Sequence, residues 1–170
     1  MTTASQTIGP YWHLLEDRSW ADLTRFGAAG EVITVAGTVT DGAGAPMTDA
    51  CVEIWQASPE TSDVFTGFGR AATDESGRFV FRTVKPGAVP GPGNTLQAPH
   101  LAVTIFARGL LFHLATRFYF EGAPENENDP ILSMIEDGRR ETLIARQTEA
   151  GVWHLDIRLQ GEGETVFFEI

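Results

Sequence analysis

The residues of this chain that could bind a metal ion are few and widely spaced. No two of its histidines form an H-x-H, H-x-x-x-H or H-E-x-x-H pattern, and the four are His13, His100, His113 and His154. The sequence also has no C-x-x-C pair, because Cys51 is its only cysteine. A metal site needs several donors around one point, so no single element of this chain supplies one. Each histidine taken alone is better interpreted as a hydrogen-bonded residue of the core or its rim.

Nucleophilic catalysis has no better support in the sequence. There is no G-x-S-x-G motif, and Cys51 lies in an apolar run, where a thiol is usually a small inert core residue. Two arginines remain: Arg108 ends an apolar run just before Gly109, and Arg117 lies inside the next run. A guanidinium among apolar residues needs an anionic partner, because an unpaired buried charge is costly. That partner is either a carboxylate of this chain or an acidic ligand, and the sequence alone leaves both open.

Runs rich in β-branched and aromatic residues predict the elements that position these side chains. Glycine, proline and aspartate separate the runs, which is typical of an all-β fold, here an antiparallel β-sandwich. Short helical segments are predicted near residues 19–26 and 130–136, and residues 86–99, rich in proline and glycine, are predicted to form a loop. The predicted strands cover residues 31–40, 50–57, 77–84, 100–108, 114–121, 141–147, 152–160 and 165–170.

Length and charge limit the kind of protein that this chain can be. Its 170 residues fit one domain with one hydrophobic core. The net charge of −11 argues against binding to nucleic acid, which relies on clusters of lysine and arginine. A single cysteine suits a reducing compartment, and no run is long and apolar enough for a membrane span or a secretion signal. We therefore expect a cytoplasmic protein that binds neither nucleic acid nor membranes.

Several longer segments carry a resemblance to a known family. They are SQTIGPYW (5–12), GTVTDGAGAPMTDACVEIWQA (37–57), TDESGRFVFRTVKPG (73–87), PHLAVTIFARGLLFHLATRFYFEG (99–122) and WHLDIRLQGEGETVFFEI (153–170). Through them the chain resembles the intradiol ring-cleavage dioxygenases and, within that family, the alpha-chain type of subunit. The resemblance implies a β-sandwich that works in a higher alpha-beta oligomer with a homologous beta chain. It also implies an oxidoreductase of aromatic compound catabolism, on the β-ketoadipate pathway, that converts protocatechuate and O₂ to 3-carboxy-cis,cis-muconate.

The same resemblance implies that the non-haem ferric iron of this enzyme is held by the beta chain. In the family two tyrosines and two histidines hold the iron, and three of these four positions differ here. His100 stands at the first histidine position and Ala102 at the second. Val89 stands at one tyrosine position, and residues 58–69 lack the insertion that carries the other tyrosine. We therefore expect no catalytic residue and no metal ligand set in this chain, with His100 as a vestigial ligand position.

The resemblance implies that the alpha chain instead lines the substrate pocket of its partner. Its T-x-G-P-Y segment and the arginine of its FARG motif would lie near the iron of the beta chain, facing the ring carboxylate of the substrate. These positions correspond to Thr7, Gly9, Pro10, Tyr11 and Arg108. A phenol and a guanidinium are suitable donors to a carboxylate. We accordingly divide the chain into residues 1–30, an N-terminal arm with a short helix that contacts the partner, and residues 31–170, the sandwich.

Two other interpretations of the sequence remain. Residues 37–87 also resemble the small transthyretin-like sandwiches, which are accessory modules without chemistry. A self-sufficient intradiol enzyme would have to use Tyr11, Tyr119 and distant histidines, at positions where the family has no ligands.

Overall fold

The structure is a computed structural model that describes residues 12–169, apart from the side chains of His13 and Leu15. Its strands run as follows: β1 Val32–Thr40, β2 Cys51–Trp55, β3 Phe68–Ala72, β4 Arg78–Val84, β5 Val89–Pro90, β6 Leu96–Gln97, β7 His100–Phe106, β8 Leu114–Phe120, β9 Ile144–Glu149, β10 Val152–His154 and β11 Ile157–Arg158. One short α-helix, α1, covers Asp137–Arg140, and 3-10 turns cover Trp12–Leu15, Arg18–Ala21, Pro124–Asn128, Leu132–Met134 and Glu141–Leu143.

Two groups of strands form the layers of the fold. The strand order is β11-β1-β10-β9-β8-β7-β2-β3, with β4 paired to β1, while β5 and β6 form a separate two-stranded hairpin. Strand β9 joins the layers, because Ile144 and Ala145 pair with β8 whereas Arg146 and Gln147 pair with β10. The prediction of an all-β fold is confirmed.

The main core lies between the inner faces of these two layers. Alternate residues of β1 and β4, such as Val35 and Phe81, and of β2 and β7, such as Ile54 and Val103, are buried in one hydrophobic cluster. Such a period of two is what a strand with one buried face requires. A second, smaller cluster of Ala98, Tyr119, Leu132 and Leu143 lies on the outer face of β8. The same outer face carries His100 and the residues that pack around it.

The first described residues also belong to the body of the fold. Leu23 is buried in the main core, and its backbone N–H donates to the carbonyl of Arg82 on β4 at 2.8 Å. The chain from residue 12 onwards thus lies along the edges of β3 and β4. The division of the chain at residue 30 stays a prediction.

The structure differs from the sequence prediction in several elements. Strand β3 was not predicted, the loop at 86–99 contains the β5–β6 hairpin, and the run at 152–160 is split into β10 and β11. The final run, 165–170, contributes an isolated bridge between Phe168 and Ala115. Three strand pairs, β1–β10, β1–β11 and β8–β9, are parallel, which alternation of side chains cannot reveal because it is the same in parallel and antiparallel strands. Among the described residues no helix has the length and apolarity needed to cross a membrane.

Candidate functional site

The pairing of β7 with β8 brings His100, which the resemblance interprets as a vestigial ligand position, together with a tyrosine and an arginine. His100 lies opposite Tyr119, and Ala102 lies opposite Arg117. Side chains of directly opposite residues project from the same face of a sheet. The four residues therefore share the outer face of these strands, while Leu101 and its alternate neighbours point into the main core.

His100 is a partly buried, neutral histidine. Its Nδ1 atom lies 2.7 Å from the carbonyl oxygen of Ala98, which can only accept, so Nδ1 carries the proton. Burial lowers the pKa of His100, and the nearby guanidinium of Arg117 lowers the pKa further, against the opposing effect of the bond to Ala98. The imidazole ring packs on the ring of Tyr119, with centroids 5.5 Å apart. His100 is thus a hydrogen-bonded residue at the rim of the core, as the sequence favours for each histidine taken alone.

Arg117 is held by neutral partners rather than by the carboxylate that a buried arginine is expected to need. Its Nη1 donates to Oε1 of Gln97 at 2.8 Å and to the hydroxyl oxygen of Tyr119 at 3.1 Å. The hydroxyl of Tyr119 in turn donates to Oδ1 of Asp129 at 3.2 Å. Among the described residues, the carboxylate of Asp129 is therefore linked to the guanidinium of Arg117 only through the hydroxyl of Tyr119, and not directly as expected. Burial raises the pKa of Tyr119, so its hydroxyl stays protonated and can relay this contact.

Asp129 anchors this network, and sequence reasoning missed it. The residue is fully buried, and its carboxylate accepts from the backbone N–H groups of Ala98, Ile131 and Leu132, each at 2.8 Å. An aspartate directly before a proline and a short apolar run is a known start signal for a helical turn. The sequence N-D-P-I-L therefore contained the sign that would have identified it.

The residues at the vestigial site do not fit the ferric ion that the resemblance implies for this family. Ala102 has no donor atom, and Val89 places an apolar side chain on strand β5, beside β6 and its Gln97. One imidazole remains, and the guanidinium opposite Ala102 is a cation, which disfavours a second cation nearby. Within residues 12–169 no cluster of three or more histidine, cysteine, aspartate or glutamate side chains is placed to hold a metal ion. That the chain carries no iron stays a prediction for a metal assay.

Arg108 lies at a different corner, two residues after the end of β7. Its Nε donates to the carboxylate of Asp49, and its side chain is 73% exposed. The described residues provide no hydrogen-bond acceptor to its Nη1 and Nη2 atoms. The sequence left open a carboxylate of this chain or an acidic ligand as the partner. Asp49 is such a carboxylate, and it contacts the Nε edge of the guanidinium. Within the described part of the chain, the edge formed by Nη1 and Nη2 stays available to a second anion.

The N-terminal segment reaches the same corner. The indole N–H of Trp12 donates to the backbone carbonyl of Asp49 at 3.4 Å. Beside it opens a groove of about 580 Å³ between the edges of β3 and β4, lined in part by Trp12, Asp49 and Arg78. Four predicted substrate-binding residues, Thr7, Gly9, Pro10 and Tyr11, lie outside the described residues, so Arg108 is the one whose surroundings are known.

The remaining reactive groups have structural roles. Cys51 is buried at the start of β2, which confirms its interpretation as a core residue, and burial raises the pKa of its thiol to about 12. The ring of His113 packs against Phe106 with centroids 5.7 Å apart. His154 forms a hydrogen bond to Asp156 through Nε2 at 2.9 Å. The interpretation as a self-sufficient enzyme is not supported, because the phenol of Tyr119 is hydrogen-bonded within the protein and its pKa is raised.

Comparison with known proteins identifies the family of this chain. The Dioxygenase_C family model, described as Dioxygenase, matches residues 15–161. The protocatechuate 3,4-dioxygenase alpha chain of Pseudomonas putida is 40% identical over 192 aligned positions, which cover 98% of this chain and 96% of that protein. The beta chain of the enzyme of the same name from Burkholderia cepacia is 34% identical, over 80% of this chain and 67% of that one.

A solved structure shows that the fold is shared as well. The dioxygenase domain of a dioxygenase and carbohydrate-binding fusion protein from Streptomyces sp. SirexAA-E superposes with a TM-score of 0.67 at 28% identity, over 92% of this chain and 97% of that domain. The transthyretin-like interpretation depended on residues 37–87 alone, whereas the family match extends well beyond them on both sides. On the match over residues 15–161 and the similarity along nearly its whole length, this chain belongs to the intradiol dioxygenase family, whose members are iron-dependent.

Proposed function

We propose that this chain is the alpha subunit of a protocatechuate 3,4-dioxygenase, which forms a higher alpha-beta oligomer with an iron-binding beta chain. The assembled enzyme would convert protocatechuate and O₂ to 3-carboxy-cis,cis-muconate in the cytoplasm. Relatives named as the alpha and the beta chain of this enzyme support the pairing. The ferric iron of the beta chain would supply the redox chemistry, and this chain would supply part of the pocket.

The observation that carries the proposal is the outer edge of the Arg108 guanidinium, to which no described residue among 12–169 provides an acceptor. A guanidinium that is paired on its Nε side still offers Nη1 and Nη2, which match the two oxygens of a carboxylate. Protocatechuate has a ring carboxylate, and its catechol hydroxyls are at the opposite end of the ring. A bond from Arg108 to that carboxylate would orient the ring, so that the hydroxyls point toward the iron of the partner. In this role Arg108 binds and orients the substrate and takes no part in proton transfer.

The loop that follows Arg108 supports the presence of a partner at this corner. Leu111 and Phe112 are 74% and 67% exposed. Large apolar side chains exposed side by side are typical of a surface that another protein covers. We propose that the beta chain covers this loop, and that the N-terminal arm, with Thr7, Gly9, Pro10 and Tyr11, reaches the same pocket.

Substitution of Arg108 in the assembled enzyme tests the proposal. Arg108→Ala removes a charge-assisted hydrogen bond, so KM for protocatechuate should rise about ten- to a hundredfold, the equivalent of roughly 1.5–3 kcal/mol, with a smaller change in kcat. Catechol lacks the carboxylate, so it should be a poor substrate that loses little further. Arg146→Ala is the matched control, because Arg146 is 74% exposed and forms a surface ion pair with Glu141.

Two results would refute the proposal. One is an equal loss with catechol and protocatechuate in Arg108→Ala, because a contact to the carboxylate cannot affect both. The other is stoichiometric iron in the chain purified without its partner, which would show a metal centre in this subunit.

A further inference from the structure

We infer that Asp49 is a positioning residue for substrate binding, which fixes the orientation of Arg108 and anchors the end of the N-terminal arm beside it. The inference rests on the proposed function of Arg108. Asp49 is the residue that contacts both features: its carboxylate accepts from Nε of Arg108, and its backbone carbonyl accepts from the indole of Trp12. Trp12 directly follows Tyr11, the other residue proposed to face the substrate carboxylate.

The backbone around Asp49 is held rigidly by one buried threonine. The hydroxyl of Thr73 accepts from the N–H of Ala50 at 2.9 Å and donates to the carbonyl of Met47 at 2.6 Å. The N–H of Thr73 also donates to the carbonyl of Ala50 at 2.9 Å. These bonds fix the chain on both sides of Asp49, just before β2 begins at Cys51. A carboxylate on a backbone held in this way keeps the guanidinium that it binds in one orientation, whereas a carboxylate on a mobile loop does not.

In the ion pair, Asp49 positions the guanidinium of Arg108 through one edge, and the substrate would bind at the other edge. An arginine that is 73% exposed is free to adopt many rotamers unless something holds it. Asp49 contacts the Nε edge and therefore restricts the plane of the guanidinium, while Nη1 and Nη2 stay available at the other edge. The two carboxylates, from Asp49 and from the substrate, would then occupy different edges. Orientation by Asp49 should accordingly outweigh repulsion between the two negative charges.

Substitutions of Asp49 in the alpha-beta enzyme test this inference. Asp49→Ala should raise KM for protocatechuate about three- to fivefold, the size expected for an exposed ion pair, with kcat changed less than about twofold. Asp49→Asn keeps an acceptor oxygen, so its rise in KM for protocatechuate should be about half that of Asp49→Ala or less. KM for catechol should not change in either variant. Glu53→Gln is the matched control, because it breaks a surface ion pair with Arg70 on neighbouring strands and should leave both substrates unaffected.

The double substitution shows whether Asp49 acts through Arg108. If it does, KM in Asp49→Ala with Arg108→Ala should equal that of Arg108→Ala alone. The inference is overturned if the two effects multiply, if Asp49→Ala lowers KM, or if catechol is affected equally. If Arg108→Ala itself leaves KM for protocatechuate unchanged, the proposed function fails and this inference with it. Elution of the heteromer at an unchanged volume confirms that each variant is assembled, and Asp49→Asn provides a test should Asp49→Ala fail to assemble.

Discussion

Replacing Asp129 with alanine should destabilise this chain strongly, although the residue itself has no exposed surface. Its carboxylate accepts four hydrogen bonds, from the backbone N–H groups of Ala98, Ile131 and Leu132 and from the hydroxyl of Tyr119. In Asp129→Ala these donors lose their acceptor at a site that water does not reach, since Asp129 has no exposed surface.

The magnitude follows from the burial of these donors. Ala98 and Leu132 are buried, and an unsatisfied buried donor costs about 1–3 kcal/mol. Removing the carboxylate recovers part of its own desolvation cost, whereas the donors that remain have no new partner. We therefore expect a loss of about 3–5 kcal/mol in the free energy of unfolding, or a fall in Tm of roughly 6–20 °C for a domain of this size. Asp129→Asn should lose about 1–3 kcal/mol, because its amide group would face a donor at one of the two oxygen positions.

Urea unfolding of the purified chain, followed by tryptophan fluorescence, measures this loss. Asp63→Ala is the control, because Asp63 is exposed and should change stability by less than about 0.5 kcal/mol. The reasoning would be refuted if Asp129→Ala were as stable as Asp63→Ala. It would also be refuted if Asp129→Asn were less stable than Asp129→Ala, since the amide still satisfies more of the donors than a methyl group does.

Three further outcomes are expected. Deletion of residues 2–12 should weaken the complex with the beta chain, and an unchanged elution volume of the two chains together would contradict a role for the arm in assembly. With a thiol pKa of about 12, Cys51 should resist a thiol reagent at pH 8 in the folded chain and react fully in urea, so rapid labelling of the folded chain would contradict its burial. Since the pKa of His100 is lowered on folding, the unfolded chain binds the proton first as the pH falls. The stability that His100 contributes is then present above about pH 6.5 and lost below it, so the stability of His100→Gln should fall less than that of the native chain between pH 7.5 and 5.5, and an equal fall in the two would contradict this reasoning.

The fold could be predicted from the sequence where strands alternate strictly, and it was missed where local signals disagree with the pairing. In the runs that form β4 and β7, large apolar residues recur at every second position and are buried, as with Phe79 and Phe81 in β4 and Leu101, Val103 and Ile105 in β7. Strand β3, with the sequence FGRAA, has little β propensity and depends on its pairing with β2. The prolines of residues 86–99 predicted a loop, yet a hairpin with two short strands, each of two residues, forms there. Pro90 is compatible with this hairpin because it lies on an edge of the pair, where no N–H is needed.

The site was predictable to a smaller extent. Ala102 and Val89 could be interpreted as lost ligand positions through the resemblance, and Arg108 as a cation that needs an anionic partner. The partners could not be identified in this way. Asp49 and Asp129 are two among 23 acidic residues, and they lie 59 and 12 residues from the arginines that they influence, in loops whose positions only the fold determines.

The guanidinium opposite Ala102 has a consequence for the history of this chain. Arg117, tied to Gln97 and through Tyr119 to Asp129, occupies the face on which an iron ligand would have to be rebuilt. Restoring a histidine at position 102 and a tyrosine at position 89 would return two ligands but leave a fixed positive charge beside them. Reversion would require the arginine to be lost as well, and each intermediate step would leave either a partly buried cation facing a metal or a hydrogen-bond network without its donor. For a subunit with the proposed function, this packing makes the return of a metal centre by single substitutions difficult, so that a division of labour with an iron-binding partner, once established, would be hard to undo.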